Sequence, residues 1–135
     1  MNQSYYPTIN IGDILTRRKL LGIIEHHGVV VGYDMVLHNT PGRGEHTATI
    51  AAFAGGQPVK VKPTGADPSI VSARSQEILA NPKRYHPFRR NCEHTALEAT
   101  RGEAKSPTAT ASLLVFVVAV FAFMGAAVFL RKRGR

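Results

Sequence analysis

Apolar and polar residues alternate along this chain in ways that change character several times. After a loose polar lead over residues 1–10, residues 11–24 are apolar positions broken by Asp13 and by Arg17-Arg18-Lys19. Residues 27–32 (HGVVVG) are β-branched and apolar, Tyr33-Asp34 supplies turn chemistry, and residues 35–38 resume the pattern, which predicts a β-hairpin. Residues 39–45 (NTPGRGE) read as a turn. Residues 47–53, a Gly55-Gly56 turn and the alternating run 58–62 predict a second strand pair, so the middle of the chain is expected to be an antiparallel sheet. Helical signals follow. Asp67-Pro68 reads as an N-cap with proline in the first turn, and Ile70, Val71, Ala73, Ile78 and Leu79 form an apolar face up to Asn81-Pro82. Asn91 can cap a last helix running from Cys92 to Arg101, with Gly102 as its stop. The expected class is α+β, with helices packed on an antiparallel sheet.

Beyond the polar linker 103–110 the pattern vanishes, because residues 106–130 hold no charge and residues 111–130 (ASLLVFVVAVFAFMGAAVFL) are almost wholly apolar. Twenty helical residues rise about 30 Å, the thickness of a hydrocarbon core, so a transmembrane helix is expected over 111–130. A buried core helix would need a larger protein around it than the preceding residues provide. The N-terminus, MNQSYYPTINIGD, has no apolar signal region. The expected topology is a single-pass, tail-inserted chain with its folded part, residues 11–102, in the cytosol and a basic tail at 131–135.

With 135 residues, 44% of them apolar, the length suits one domain with an appendage. One cysteine, Cys92, rules out an intrachain disulfide framework and a multi-thiolate zinc site. The net charge of +8 is divided, since Arg131, Lys132, Arg133 and Arg135 carry half of it. The remainder forms no basic run interleaved with aromatics, so no nucleic-acid partner is predicted, whereas an anionic membrane surface would attract the same charge.

The candidate chemistry lies in His26, His38 and Cys92, with Glu93 and His94 beside them. A cysteine in the first turn of a helix meets unpaired amides and the positive end of the dipole, and Arg89 and Arg90 act in the same direction, so a thiolate is expected. A thiolate attacking an acyl carbon needs a base and a proton donor, and histidines on paired strands could supply one ring that works and one that orients it. Three competing readings exist. Cys92 could be a small buried hydrophobe, Glu93 a first-turn acid held by the dipole, or His26, His38, Cys92 and His94 a zinc site. His27, His46 and His86 receive no role, and Arg89-Arg90 reads as a solvated pair or a phosphate-facing patch.

His26-His27-Gly28-Val29-Val30-Val31-Gly32, a second histidine twelve positions on at His38, and Asn91-Cys92-Glu93-His94 together resemble the lecithin:retinol acyltransferase-like family. The likeness is strongest to its small phospholipase A/acyltransferase members with a C-terminal anchor, and it spans residues 12–102. The twelve-residue spacing selects His26 over His27 as the counterpart. The resemblance implies a circularly permuted NlpC-type, papain-like fold in which Cys92 forms a thioester with an acyl group from a glycerophospholipid. It also implies His26 as general base and acid, and His38 as the residue that orients it. No cofactor and no metal are required, and the implied partner is a membrane phospholipid. Thr95 stands where these relatives commonly place phenylalanine, and the span from His38 to Cys92 is shorter than in animal members. Two other functions fit the same residues: a membrane-tethered interaction module without turnover, and a cysteine peptidase or amidase of the parent fold.

Overall fold

A computed structural model describes residues 8–19 and 22–103, together with helical positions 111, 114, 115 and 117–119. The chain divides into two compact units, residues 1–105 and 106–135. Among the described residues no helix is long and apolar enough to cross a membrane, and the span expected over 111–130 falls largely outside them, as do most of the linker 103–110 and the whole tail 131–135.

The first unit is α+β. It contains β1 (Ile14–Lys19), β2 (Ile24–Gly32), β3 (Met35–Thr40), β4 (Gly44–Ala48), α1 (Ile50–Ala54), β5 (Lys60–Lys62), α2 (Pro68–Ala80) and α3 (Cys92–Arg101). The five strands form one antiparallel sheet in the order β4-β3-β2-β1-β5. The mixed run 11–24 thus resolves into β1 and the start of β2. The β2–β3 hairpin turns at Tyr33-Asp34, where Asp34 takes a left-handed conformation (φ 48°) that aspartate tolerates better than most residues. Asp34 Oδ1 also accepts from the Ile50 amide at 3.0 Å, which ties the turn to the start of α1.

The second strand pair expected over 47–53 and 58–62 does not form. Residues 50–54 are helical because Thr49 caps them, its hydroxyl accepting from Ala52 N at 3.1 Å, while left-handed Gly55 ends them. Cap, alanines and glycine stop outweigh a short apolar run that fits strand and helix equally. β5 instead extends the opposite edge, pairing with β1 from Ile14↔Lys62 to Thr16↔Lys60. The turn expected over 39–45 is also tighter: Asn39 and Glu45 are cross-strand partners, and only residues 41–43 lie between β3 and β4.

Side chains alternate across the sheet and create a core on each face. Leu15, Val30, Val36 and Phe53 form the core beneath α1. Ile14, Val29 and Leu37 pack on the other face with Val71 and Ile78 of α2 and Ala96 and Ala99 of α3. Complete burial of Phe53 contributes roughly 1.5–3 kcal/mol and anchors a helix too short to hold itself. Asp67 caps α2 as expected, accepting from Ser69 N at 2.8 Å, and Pro68 follows in the first turn. Its buried face is narrower than the sequence suggests, since Val71, Ser75 and Ile78 point inward while Ile70 and Leu79 stay exposed.

Candidate active site

His26 lies on β2, cross-strand from Arg17, and His38 lies on β3, cross-strand from Gly28. Positions 26 and 28 share a face, so both imidazoles project to the α1 side of the sheet. His26 Nε2 and His38 Nδ1 meet at 2.9 Å, both residues buried. The His26 ring stacks on Phe53, with centroids 5.2 Å apart and planes 21° apart, and His38 meets the same phenylalanine edge-on at 5.5 Å. Gly28 makes this packing possible. A Cβ there would stand 2.4 Å from Val36 Cγ1 and 2.8 Å from Phe53 Cε2, so any side chain would displace the ring that supports both histidines. The Arg17 guanidinium completes the support, donating to the Phe53 carbonyl and lying 5.8 Å from the ring centroid.

Cys92 opens α3 and is buried. Asn91 Oδ1 accepts from the amides of Glu93 (3.0 Å) and His94 (3.1 Å). The His94 ring completes a capping box, its Nδ1 accepting from the Asn91 amide at 3.3 Å. Among the described residues no group of three or more His, Cys, Asp or Glu side chains is placed to hold a metal ion, so the four-ligand zinc reading of His26, His38, Cys92 and His94 finds no matching geometry. The β2–β3 ladder ends at Gly28↔His38, so His26 and His27 lie beyond it. There the His27 amide, part of the peptide joining the two histidines, lies near the Cys92 sulfur. The amides of Glu93 and Cys92 also approach the sulfur. Among the described residues no hydrogen bond joins the sulfur to either imidazole.

The expected resting thiolate is overturned. Burial pushes the Cys92 thiol above its ordinary value, outweighing the three amides and the nearby Lys19 charge. Arg90 adds little positive potential because it is neither solvated nor facing a phosphate. It is buried in ion pairs with Glu45 and Glu98. Both imidazoles are neutral as well. Burial first, then Lys19, His38 and Arg17, lowers His26 to about 2, and burial with His46 and Lys19 lowers His38 to about 4. The resting site therefore holds a thiol and two uncharged rings. If His26 Nε2–H donates to His38 Nδ1, His26 Nδ1 is left as an acceptor able to take a proton.

These shifts carry a stability prediction. Each ring titrates lower when folded than its ordinary 6.5, so below that pH the unfolded chain binds protons that the folded site refuses. Stability should be intact above pH 6.5 and fall as pH drops toward the folded values, by up to about 1.4 kcal/mol per unit for each ring. Urea midpoints in detergent at pH 7 and pH 5 check this, and an unchanged midpoint would contradict neutral burial. His38→Asn should make the dependence shallower.

Three residues without an assigned role prove to be involved. The His46 ring lies 4.2 Å from that of His38 and extends the row of imidazoles to β4. The His27 amide lies near the sulfur, and Glu45 forms the hub of a buried network. Its carboxylate accepts from Arg90 Nε (2.7 Å), Thr95 Oγ1 (2.8 Å) and the Lys83 amide (2.7 Å). Asn39 joins through Arg90 O and Thr95 Oγ1. Thr95, the unusual residue after Asn-Cys-Glu-His, is a threonine here because its hydroxyl serves that carboxylate. A sequence reader could have noticed a lone glutamate next to an apolar strand, but its partner lies 45 residues away.

No curated protein matches the chain. The sequence model described as lecithin retinol acyltransferase matches residues 7–105. That stretch contains all eight elements of the first unit and the paired histidines, and the chain belongs to the lecithin retinol acyltransferase family.

Proposed function

We propose that this protein transfers acyl groups from glycerophospholipid esters through a thioester on Cys92, acting as a phospholipase A when water is the acceptor and as an acyltransferase when an amine or lysolipid is. Family membership carries acyltransferase or phospholipase-type chemistry in general. The observation that supports the specific reading is the 2.9 Å imidazole pair, together with a helix-start cysteine whose sulfur lies near the amide that follows His26.

In this mechanism Cys92 Sγ bonds to the ester carbonyl carbon while its proton passes to His26 Nδ1. His38 accepts from His26 Nε2–H and holds the ring and its tautomer. The Cys92 amide, which the Asn91 cap leaves unused, can donate to the developing oxyanion. Collapse breaks the bond from carbon to glycerol oxygen, His26 returns its proton to that oxygen, and the lysolipid leaves. Water or an amine then attacks the thioester with His26 again as base, restoring the thiol. Because sulfur and ring are both uncharged at rest, proton transfer accompanies attack, and the sulfur–imidazole approach tightens when the carbonyl occupies the site. A membrane span over 111–130 would tether a cytosolic domain to the surface that holds its insoluble substrate.

Intact-mass spectrometry after incubation with phosphatidylcholine mixed micelles tests the proposal. The expected result is an acyl adduct on the parent protein, released by hydroxylamine and absent from Cys92→Ala. No adduct with any acyl lipid would favour a non-catalytic interaction module, and an adduct that survives in Cys92→Ala would overturn the assigned nucleophile.

A further inference from the structure

Exposed apolar side chains flank the candidate site on two segments. Where β1 returns into β2, Ile23 is 83% exposed and Ile24 49% exposed, and His26 follows two residues later. On the segment leading into Cys92, the isolated bridge His86↔Arg90 projects Phe88, 44% exposed, next to exposed Arg89. Ile24 is cross-strand from Lys19 and two positions before His26, and Asn91 Nδ2 donates to the Pro87 carbonyl at 3.0 Å, which ties the Phe88 segment to the start of α3, so each segment leads directly into a residue of the site. Basic residues accompany the apolar ones: Arg18 and Lys19 on the first segment, Arg84 and Arg89 on the second. Glu25, cross-strand from Arg18, is the acidic exception.

We infer that Ile23, Ile24 and Phe88, on segments that also carry exposed Arg18, Arg84 and Arg89, form a docking rim that inserts into an anionic phospholipid surface and presents the site to the bilayer. Three large apolar groups standing in water beside a reactive centre are costly unless something covers them. The exposed basic residues on both segments identify that cover as negatively charged, and isoleucine and phenylalanine suit the boundary between headgroups and acyl chains. The opposite end of β2 offers a contrast. Tyr33 is fully exposed there, and nine strand residues place it about 25–30 Å away. The inference goes beyond the catalytic reading and does not depend on turnover.

The chain contains no tryptophan, so one introduced indole reports its own surroundings. Full-length Cys92→Ala protein, which cannot consume the lipid, would carry Ile23→Trp, Phe88→Trp or Tyr33→Trp. Each would be reconstituted into vesicles of equal parts phosphatidylcholine and phosphatidylserine with brominated acyl chains. Ile23→Trp and Phe88→Trp should be blue-shifted and quenched by the bromines, and Tyr33→Trp should be neither. Adding Arg89→Gln should lower the ratio of docked to undocked protein about fivefold, as expected for loss of one surface cation. Quenching at only one of positions 23 and 88, at neither, or equally at all three would overturn the rim. So would a blue shift without bromine quenching, which would mean that protein covers the rim. Catalytic failure leaves these readouts unaffected, so the two proposals can fail separately.

Discussion

Cys92→Ala should reduce phospholipid acyl release by on the order of 10⁴-fold or more, to the level set by binding and positioning without a nucleophile. In the proposed mechanism the Cys92 sulfur carries the acyl group, and alanine leaves no nucleophile in its place. His26→Ala should fall nearly as far, because a neutral thiol with a raised pKa is a poor nucleophile unless its proton leaves during attack. His38 acts through His26, and its removal should be graded. His38→Ala should cost roughly 10²–10⁴-fold in kcat. His38→Asn, whose side-chain oxygen can stand near the place of Nδ1, should recover a substantial part of that loss. Rates with phosphatidylcholine micelles across pH 5–9 check the series. Equal loss in the two His38 variants, with unchanged pH profiles, would reduce His38 to a packing residue.

The second large effect is on stability. Glu45→Ala should destabilise the first unit by about 3–5 kcal/mol, the range for removing one partner of a buried ion pair. Its side chain is wholly enclosed and its carboxylate answers Arg90, Thr95 and the Lys83 amide, so truncation leaves those groups without an acceptor. Glu98 still faces Arg90 on the other side, which sets the loss toward the lower end of the range. Glu45→Gln retains one oxygen acceptor and should cost less. Against a total of about 5–15 kcal/mol for a domain, even the lower figure is a large share. Urea denaturation in detergent measures it, and a loss under about 1 kcal/mol would show that the network is solvated rather than buried. The network also holds Arg90, two residues before Cys92, so Glu45→Ala should lower activity in parallel with the folded fraction.

Much of the site was legible along the chain because its signals are local. Asparagine before Cys92 and glycine after Arg101 mark the ends of α3 through backbone groups within a few residues, and the structure places both caps there. The twelve-residue spacing of His26 and His38 needs only a turn at Tyr33-Asp34 to bring two rings onto one face of a hairpin. Local signals also account for α1, since Thr49 and Gly55 are a cap and a stop that the apolar run between them concealed.

What could not be read there depends on groups far apart meeting in a dry interior. Residues 58–62 alternate like a strand, but alternation says nothing about which edge remains open, and β5 joined β1 some 46 positions away because α1 removed its nearer partner. The charge state of the site went the same way. Helix dipole and neighbouring arginines argue for a thiolate when judged by proximity in the chain, but desolvation reverses that sign and Glu45 and Glu98 claim the Arg90 charge. Propensity, capping and spacing are properties of short segments and are therefore written in residue order. Burial and the pairing of buried charges arise only when the chain closes on itself, and these govern how readily the Cys92 proton can move.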